Sequence, residues 1–488
     1  MAIVLLAAVL APGLAAADPW LAPGNVQARQ DVELLVDTGV INVPVTTWPI
    51  PWGSLAAAMA TVDPSRLSPA QQLAYERLLA GVRAVQGGDS RLGYKLAAAP
   101  GRPALRWFGD TPRGKEVAGG SFSGYNGNLA FRFNVSAVYG SRDHQRGRLD
   151  GSYLAVELGN WILSAGAINQ FWGPAWSGSL ILGANSRPVP AISLSRNSSE
   201  AFQTPILHWI GPWTFTVFAG RLDDARYVAH PLLLGMRFAF RPLSGVEIGL
   251  SRTALFGGEG RRQDLPCLWK TFLGRTNPGS KSGQYDCAAQ LAAIDARFHI
   301  PRTRLDFYGQ MAARDTSHNF LTKFTDLLGL SMWGSIGENG ANYRAFLEYA
   351  NTTVNSYKEP QPNIEYENHI YQSGYRYRGF DLGYPTDNDS ELFTLGVTLQ
   401  GTDYGQMTFL LRHGMLNRDN TNARPAEGGY NHLAPVRTGL DEADAYFRPS
   451  FWGGHLNFGV GVTRWAPYGL AAETGLHAQI DWQMGFSE

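Results

Sequence analysis

From about residue 128 to the end of the chain, apolar and polar side chains alternate with a period of two. In Leu129–Tyr139 the odd positions are Leu129, Phe131, Phe133, Val135, Ala137 and Tyr139, and the even ones include Arg132, Asn134 and Ser136. Leu234, Met236, Phe238 and Phe240 likewise alternate with Arg237 and Arg241, and Ile294, Ala296 and Phe298 with Asp295 and Arg297. Near the end, Ala478, Ile480 and Trp482 alternate with Gln479, Asp481 and Gln483. This pattern predicts strands with one apolar and one polar face. A soluble sandwich with one wet face would show it too, so loop lengths must decide.

Strand starts near residues 128, 152, 161, 178, 189, 205, 213, 233, 246, 293, 303, 327, 342, 391, 406, 443, 455 and 475 give about 18 strands. Every second connection is short, as at 159–160, 211–212, 242–245 and 453–454, and the others are long, notably 253–290, 351–390 and 413–442. Short turns at one rim, long loops at the other and an even strand number describe an outer-membrane barrel. The expected fold is therefore mainly β: a transmembrane antiparallel β-barrel of about 18 strands, with a small N-terminal periplasmic helical domain. Inward residues such as Arg237, Asp295, Arg297, Arg344, Glu348 and Arg412 predict a polar lumen in which opposite charges pair.

Ahead of the strands the period is helical. Asn25 is placed to cap VQARQDVELLVDT, with Gly39 as its stop. Ser68-Pro69-Ala70-Gln71 reads as a capping box opening LAYERLLAGVRAV. The apolar start MAIVLLAAVLAPGLAAADPW ends in small residues, as a secretory signal does, although no Lys or Arg precedes its apolar run. The expected layout is a signal peptide over 1–17, a periplasmic helical domain over 18–100, a connecting segment over 101–127 and the barrel over 128–488. No later stretch approaches the ~18 apolar residues of a transmembrane helix.

Composition narrows the function. Lys+Arg and Asp+Glu both number 41, so no net charge points to a nucleic-acid partner. With 56 glycines and 12% aromatics the chain suits a large β-structure with many turns and aromatic girdles. Its two cysteines, Cys267 and Cys287, either close one loop or stand as free thiols; export favours a disulfide, worth about 3 kcal/mol. Enzyme signals are missing: there is no G-x-S-x-G, H-E-x-x-H or C-x-x-C. The stretch GDTPRGK (109–115) imitates a phosphate loop, but Glu116 stands where Ser or Thr is required. No enzymatic activity, cofactor or metal is expected.

Two stretches carry a resemblance. GAINQFWGPAWSGSLILGANSRPVPAISL (166–194) and DVELLVDTGVINVPVTTWPIPW (31–52) resemble the signature and opening regions of the capsule-assembly Wzi family of outer-membrane proteins. The resemblance implies an eighteen-stranded barrel with a small periplasmic helical domain. It also implies a lectin-like role, holding exported capsular polysaccharide at the cell surface. The implied partners are capsular or exopolysaccharide, outer-membrane lipid, the outer-membrane assembly machinery and polysaccharide export proteins. A terminal aromatic that assists assembly is present as Phe486, two residues from the end. The alternative is a saccharide-conducting porin or export channel. In the lectin-like reading, the helical segment or inward-folded loops plug the lumen.

Sugars present apolar C–H patches and many hydroxyls, so their sites need aromatic faces with amides and guanidinium groups. Acidic polymers add carboxylates, which Arg matches bidentately. Trp172 and Trp176 either anchor at the membrane interface or fold inward to stack on pyranose rings. In 371–385, Tyr371, Tyr375, Arg376, Tyr377 and Arg378 interleave rings with cations. Around the cysteine loop stand Arg261, Arg262, Lys270, Arg275 and Lys281. Asn185 and Arg187 are expected to brace a periplasmic turn or the helical domain.

Overall fold

The structure is a computed structural model that describes residues 18–88, 90–272, 287–314, 324–354, 359–401, 405–420, 431–452 and 454–484. Residues 1–17, Arg275, Lys281 and Phe486 fall outside the described residues. Eighteen antiparallel strands close into one barrel. They are β1 (Ser90–Gly101), β2 (Glu116–Asn126), β3 (Leu129–Tyr139), β4 (Tyr153–Leu158), β5 (Trp161–Ala167), β6 (Pro190–Arg196), β7 (Trp213–Arg221), β8 (Leu232–Leu243) and β9 (Val246–Phe256). Then follow β10 (Ala288–His299), β11 (Leu305–Arg314), β12 (Thr325–Ile336), β13 (Ala341–Asn351), β14 (Glu391–Gln400), β15 (Gln406–Leu416), β16 (Thr438–Arg448), β17 (Gly454–Pro467) and β18 (Glu473–Met484). The seam pairs β18 with β1, Met484 opposite Tyr94, with a register shift between Ala478 and Ile480.

The expected number of strands holds, but two of them are different ones. The SLIL run near 178 is no strand, and the segment from 205 is a 3-10 turn, His208–Ile210, within a long connection. The three apolar residues of SLIL, Leu180, Ile181 and Leu182, are all buried, whereas a wall strand alternates between lipid and lumen. In their place, β1 and β2 lie where the tail of the helical domain and the connecting segment were expected. The helical part therefore ends at Gln86, and the barrel begins at Ser90 rather than near 128. The alternation in β1 was legible, with Leu92 and Leu96 exposed around buried Gly93. In β2 three glycines blur it.

Outward side chains form the lipid-facing band, for example Leu154, Ile192, Phe307, Leu347 and Leu411, all exposed. No helix among the described residues is long and apolar enough to cross a membrane. Inward side chains are polar and buried, because the lumen is occupied. Helix α1 (Val26–Asp37) lies inside it, capped by Asn25, whose Oδ1 accepts from Ala28 N at 2.8 Å. Its Glu33 and Asp37 meet Arg344 at 3.3 and 2.7 Å, and Asp37 lies 2.7 Å from Arg297. On the neighbouring strand, Asp306 closes the cluster at 3.1 Å from Arg344. Helices α2 (Trp52–Met59) and α3 (Pro69–Gln86) pack beside it at the short-turn end, where Gly340 of the β12–β13 turn approaches Pro69. The helical region is thus a plug at that rim, tied to the wall by buried ion pairs.

Candidate functional site at the outer mouth

Apart from 197–212, which meets α2 through Ser54, the long connections gather at the rim opposite the helices, and several fold into the barrel. Residues 168–189, between the paired strands β5 and β6, descend until Phe171 pairs with Trp48 and Trp172 with Thr47. The two stretches that carried the family resemblance therefore meet inside the lumen. Fixed wall groups hold this junction. Glu247 accepts from the amides of Val45 and Thr46 at 2.9 and 2.8 Å, and Arg237 reaches Thr47 Oγ1 at 2.7 Å. Glu348 accepts from Trp176 N and Ser177 N at 2.7 and 2.8 Å. Gln310 Nε2 donates to Trp172 O at 2.9 Å, and Ser179 Oγ donates to the same carbonyl. The apolar SLIL run is buried on all sides, as suits a plug rather than a wall.

The aromatic groups named from sequence are mostly enclosed. Trp172 and Trp176 are 0% and 1% exposed. Trp176 stacks on Phe346 at 5.7 Å, and the Arg29 guanidinium lies 4.1 Å from its ring centre. Neither ring offers a face to solvent or lipid, so both expectations for them give way to packing. Tyr371 and Tyr375 are buried, their hydroxyls donating to Gly257 O and Ile181 O at 3.1 and 2.8 Å. Buried Arg376 is bound to Glu367 and Asp387, each at 2.5 Å. Tyr377 is buried too, with the partly exposed Arg378 guanidinium 5.3 Å from its ring centre. These residues belong to a second inward fold, formed by residues 352–354 and 359–390, whose Tyr366 hydroxyl donates to Leu180 O at 2.9 Å. Arg187 pairs with Asp143 and Asp150, both at 2.7 Å, and Asn185 Nδ2 donates to Asp381 O at 3.1 Å. Both brace outer loops, not a periplasmic turn, because 168–189 is itself an outer loop.

What sequence reasoning passed over lies in the first outer connection. Residues 102–115 hold Arg102, Arg106, Arg113 and Lys115 against the single acid Asp110. With Arg142, Asn185, Phe380 and Leu433 from four other long connections they line a cavity of about 280 Å³. Arg106 is spent on Asp110 and the Ala184 carbonyl, and Arg113 on the carbonyls of Ala184 and Ser186. Burial and the neighbouring Arg106 charge push Arg113 down to about 9. The Arg142 guanidinium lies 5.2 Å from the Phe380 ring centre. Among the described residues, Arg102, Lys115 and Arg142 form no ion pair with a carboxylate. The signal was the charge cluster across GDTPRGK and its lead-in, hidden by its likeness to a phosphate loop.

Comparison with known proteins fits this architecture. The sequence profile described as Capsule assembly protein Wzi matches residues 93–479. The chain belongs to the Wzi capsule-assembly family. It is 31% identical over 332 residues to an uncharacterized 55.8 kDa protein in the cps region of Klebsiella pneumoniae, covering 67% of this chain and 64% of that relative. The chain thus spans just under two thirds of that relative's length. The solved structure of Wzi from Escherichia coli superposes with a TM-score of 0.82 at 26% identity, covering 96% of this chain and all of that one. That protein is an outer membrane protein involved in group 1 capsule assembly and a carbohydrate-binding β-barrel. OccD3 of Pseudomonas aeruginosa is 11% identical with a TM-score of 0.43, covering 81% of this chain and 90% of its own.

In this Wzi-family barrel the Cys267–Cys287 disulfide is formed. It ties helix α4 (Leu265–Phe272), which carries Lys270, to the outward wall rather than over the mouth. Cys267 packs with Ala254, Phe256 and Ala288, outward residues of β9 and β10. Arg262 precedes the helix, exposed and paired with Asp264 at 2.6 Å. Arg261 faces the Tyr371 hydroxyl. The outer face of α4 presents Leu265 and Trp269, the latter 65% exposed, continuing the lipid band. In lipid bilayers, brominated acyl chains are expected to quench part of the tryptophan emission, and Trp269→Phe to remove that part. Equal quenching in both proteins would place the ring in water.

Two sets of acids with a histidine come close enough to suggest a metal, Asp37–His299–Asp306 and Glu442–Asp444–His477. Each already holds guanidinium charge, the first from Arg297 and Arg344 and the second from Arg412 at 2.5 Å from Glu442. In the outer fold, burial pushes the Glu365 carboxyl up to about 8. Thr325 Oγ1 donates to its Oε1 at 2.9 Å, and Oε2 has no partner. A carboxyl raised from about 4.3 in the unfolded chain keeps its proton longer in the fold, so its contribution to stability falls as pH rises through that window. Glu365→Gln is therefore expected to raise the unfolding midpoint at pH 9 and leave it nearly unchanged at pH 4. Equal shifts at both pH values would contradict the assignment.

Proposed function

We propose that this chain binds exported surface polysaccharide at its outer mouth and holds it at the cell, without catalysing a reaction. The observation that carries the reading is a lumen occupied by α1 from one rim and by two inward-folded loops from the other. A barrel built as a conduit has no use for wall charges that bind a plug, and here Arg237, Glu247, Arg297, Arg344 and Glu348 all do so. Polymer then meets the outer loops, where many weak contacts along a repeating chain multiply by avidity. Family membership and the carbohydrate-binding Wzi of Escherichia coli support the same assignment. The short-turn rim and its helices face the periplasm in this reading. The assembly machinery that inserts the barrel and the export proteins that deliver the polymer are its further expected partners.

Two measurements on purified protein test this. Immobilised protein is expected to retain capsular polymer from the source strain, and reconstituted protein to leave planar bilayers electrically quiet. Steady conductance without polymer retention would replace this reading with the channel.

A further inference from the structure

Among the described residues, five cationic side chains and no carboxylate line the 280 Å³ cavity at the outer mouth. Buried or half-buried positive charge ordinarily sits beside an acid, because unpaired charge in a crevice is costly. In the lumen Arg29, Arg237, Arg297, Arg344 and Arg412 follow that rule, each paired to an acid. In the cavity Arg106 keeps its acid, Asp110, whereas half-buried Arg102 forms no ion pair among the described residues. Arg102 has one hydrogen bond, to Arg113 O at 3.0 Å, and burial lowers its basicity. Arg142 is exposed and set over Phe380, and Lys115 is exposed at the same mouth. Mutual repulsion of cations held on two neighbouring connections, residues 102–115 and 140–152, is relieved by one anion.

The walls specify which kind. Pro100, Pro103, Pro112 and Pro385 present apolar faces, while Asn185 supplies an amide. The volume falls just below the ~300–1,000 Å³ usual for small-molecule sites. That combination, hydrocarbon walls with an amide and convergent guanidinium groups, matches a single sugar residue bearing a carboxylate. We propose that this cavity is a subsite for a carboxylate-bearing sugar residue of the bound polymer. Arg102, Arg142 and Lys115 hold the carboxylate, and Arg106 and Arg113 shape the wall by bracing the inward loop. The proposal rests on the polysaccharide-binding reading and adds to it the chemical class of the residue that is gripped.

The test compares alternating glucuronate–N-acetylglucosamine oligosaccharides with their carboxyl-reduced counterparts, by calorimetry on the full-length protein in detergent. Binding at least tenfold tighter for the carboxylate form is expected, weakening as salt rises. The triple variant Arg102→Gln, Lys115→Gln, Arg142→Gln should lose that preference with little change in melting temperature, since it gives up only the Arg102 bond to Arg113 O and the Arg142–Phe380 contact and breaks no ion pair. Equal binding of both forms by the wild type, or an unaltered preference in the variant, would overturn the subsite. Retention of the native capsular polymer is measured alongside. Retention by wild type with no carboxylate preference removes the subsite alone, whereas absence of retention removes the polysaccharide reading with it.

Discussion

Replacing Arg344 with methionine is expected to destabilise the plugged barrel by about 3–5 kcal/mol, the usual consequence of breaking a buried ion pair from one side. The side chain is 1% exposed and spans three carboxylates: Glu33 and Asp37 on α1 and Asp306 on the wall. Methionine preserves length and removes the charge, leaving those acids to share Arg297 in a site closed to water. Their repulsion acts across the boundary between helix and wall, so the plug rather than the strand ladder should give way. Intermittent ion current through reconstituted protein is expected, along with a lower midpoint for heat denaturation in detergent. Adding Asp37→Asn to the same chain should restore much of the loss, because Arg29 and Arg297 then remain balanced by Glu33 and Asp306 and no buried charge is left orphaned. A quiet bilayer and an unchanged midpoint for the single variant would show that these contacts do not hold the plug.

The second large effect concerns Trp176, which sequence alone offers as a sugar-stacking platform. Its ring lies between Phe346 and Arg29 with Phe108 5.7 Å away, and its amide is fixed by Glu348. Trp176→Ala is expected to cost about 3–5 kcal/mol through lost packing and the cavity left behind. The inward loop that carries Trp176 also carries Ala184 and Ser186, whose carbonyls Arg106 and Arg113 grip at the outer mouth. Polymer retention should therefore fall together with stability. Trp176→Phe should recover most of both. If retention fell while the denaturation midpoint held, the ring would be touching sugar, and the structural account of it would be wrong.

That case shows where reading the chain runs out. Period-two alternation located most of the wall correctly, because every wall residue answers to the same two solvents, lipid outside and polar lumen inside. Asp295, Arg297 and Arg344 were legible as inward for that reason. The plug obeys no such local rule. SLIL reads as a strand because three successive apolar residues look alike whether they face a sheet neighbour or are enclosed on every side. Glycine-rich β2 hides its alternation, since glycine reports neither face. The aromatic interleaving at 371–385 was a sound sign of something unusual, yet the rings serve an inward fold because residues distant in the chain, such as Ile181 and Gly257, accept their hydroxyls. The basic cavity needs five connections brought together, so only its largest share, residues 102–115, stood in one stretch of sequence.

The central claim is that this barrel holds polymer at the surface and does not pass it. The most direct measurement compares cell-attached with medium-released capsular polysaccharide in a strain lacking the protein, at equal total synthesis. Most of the polymer is predicted to move into the medium, and the complementing wild-type chain to bring it back. Normal attachment with altered saccharide flux would contradict the account and make the protein a channel.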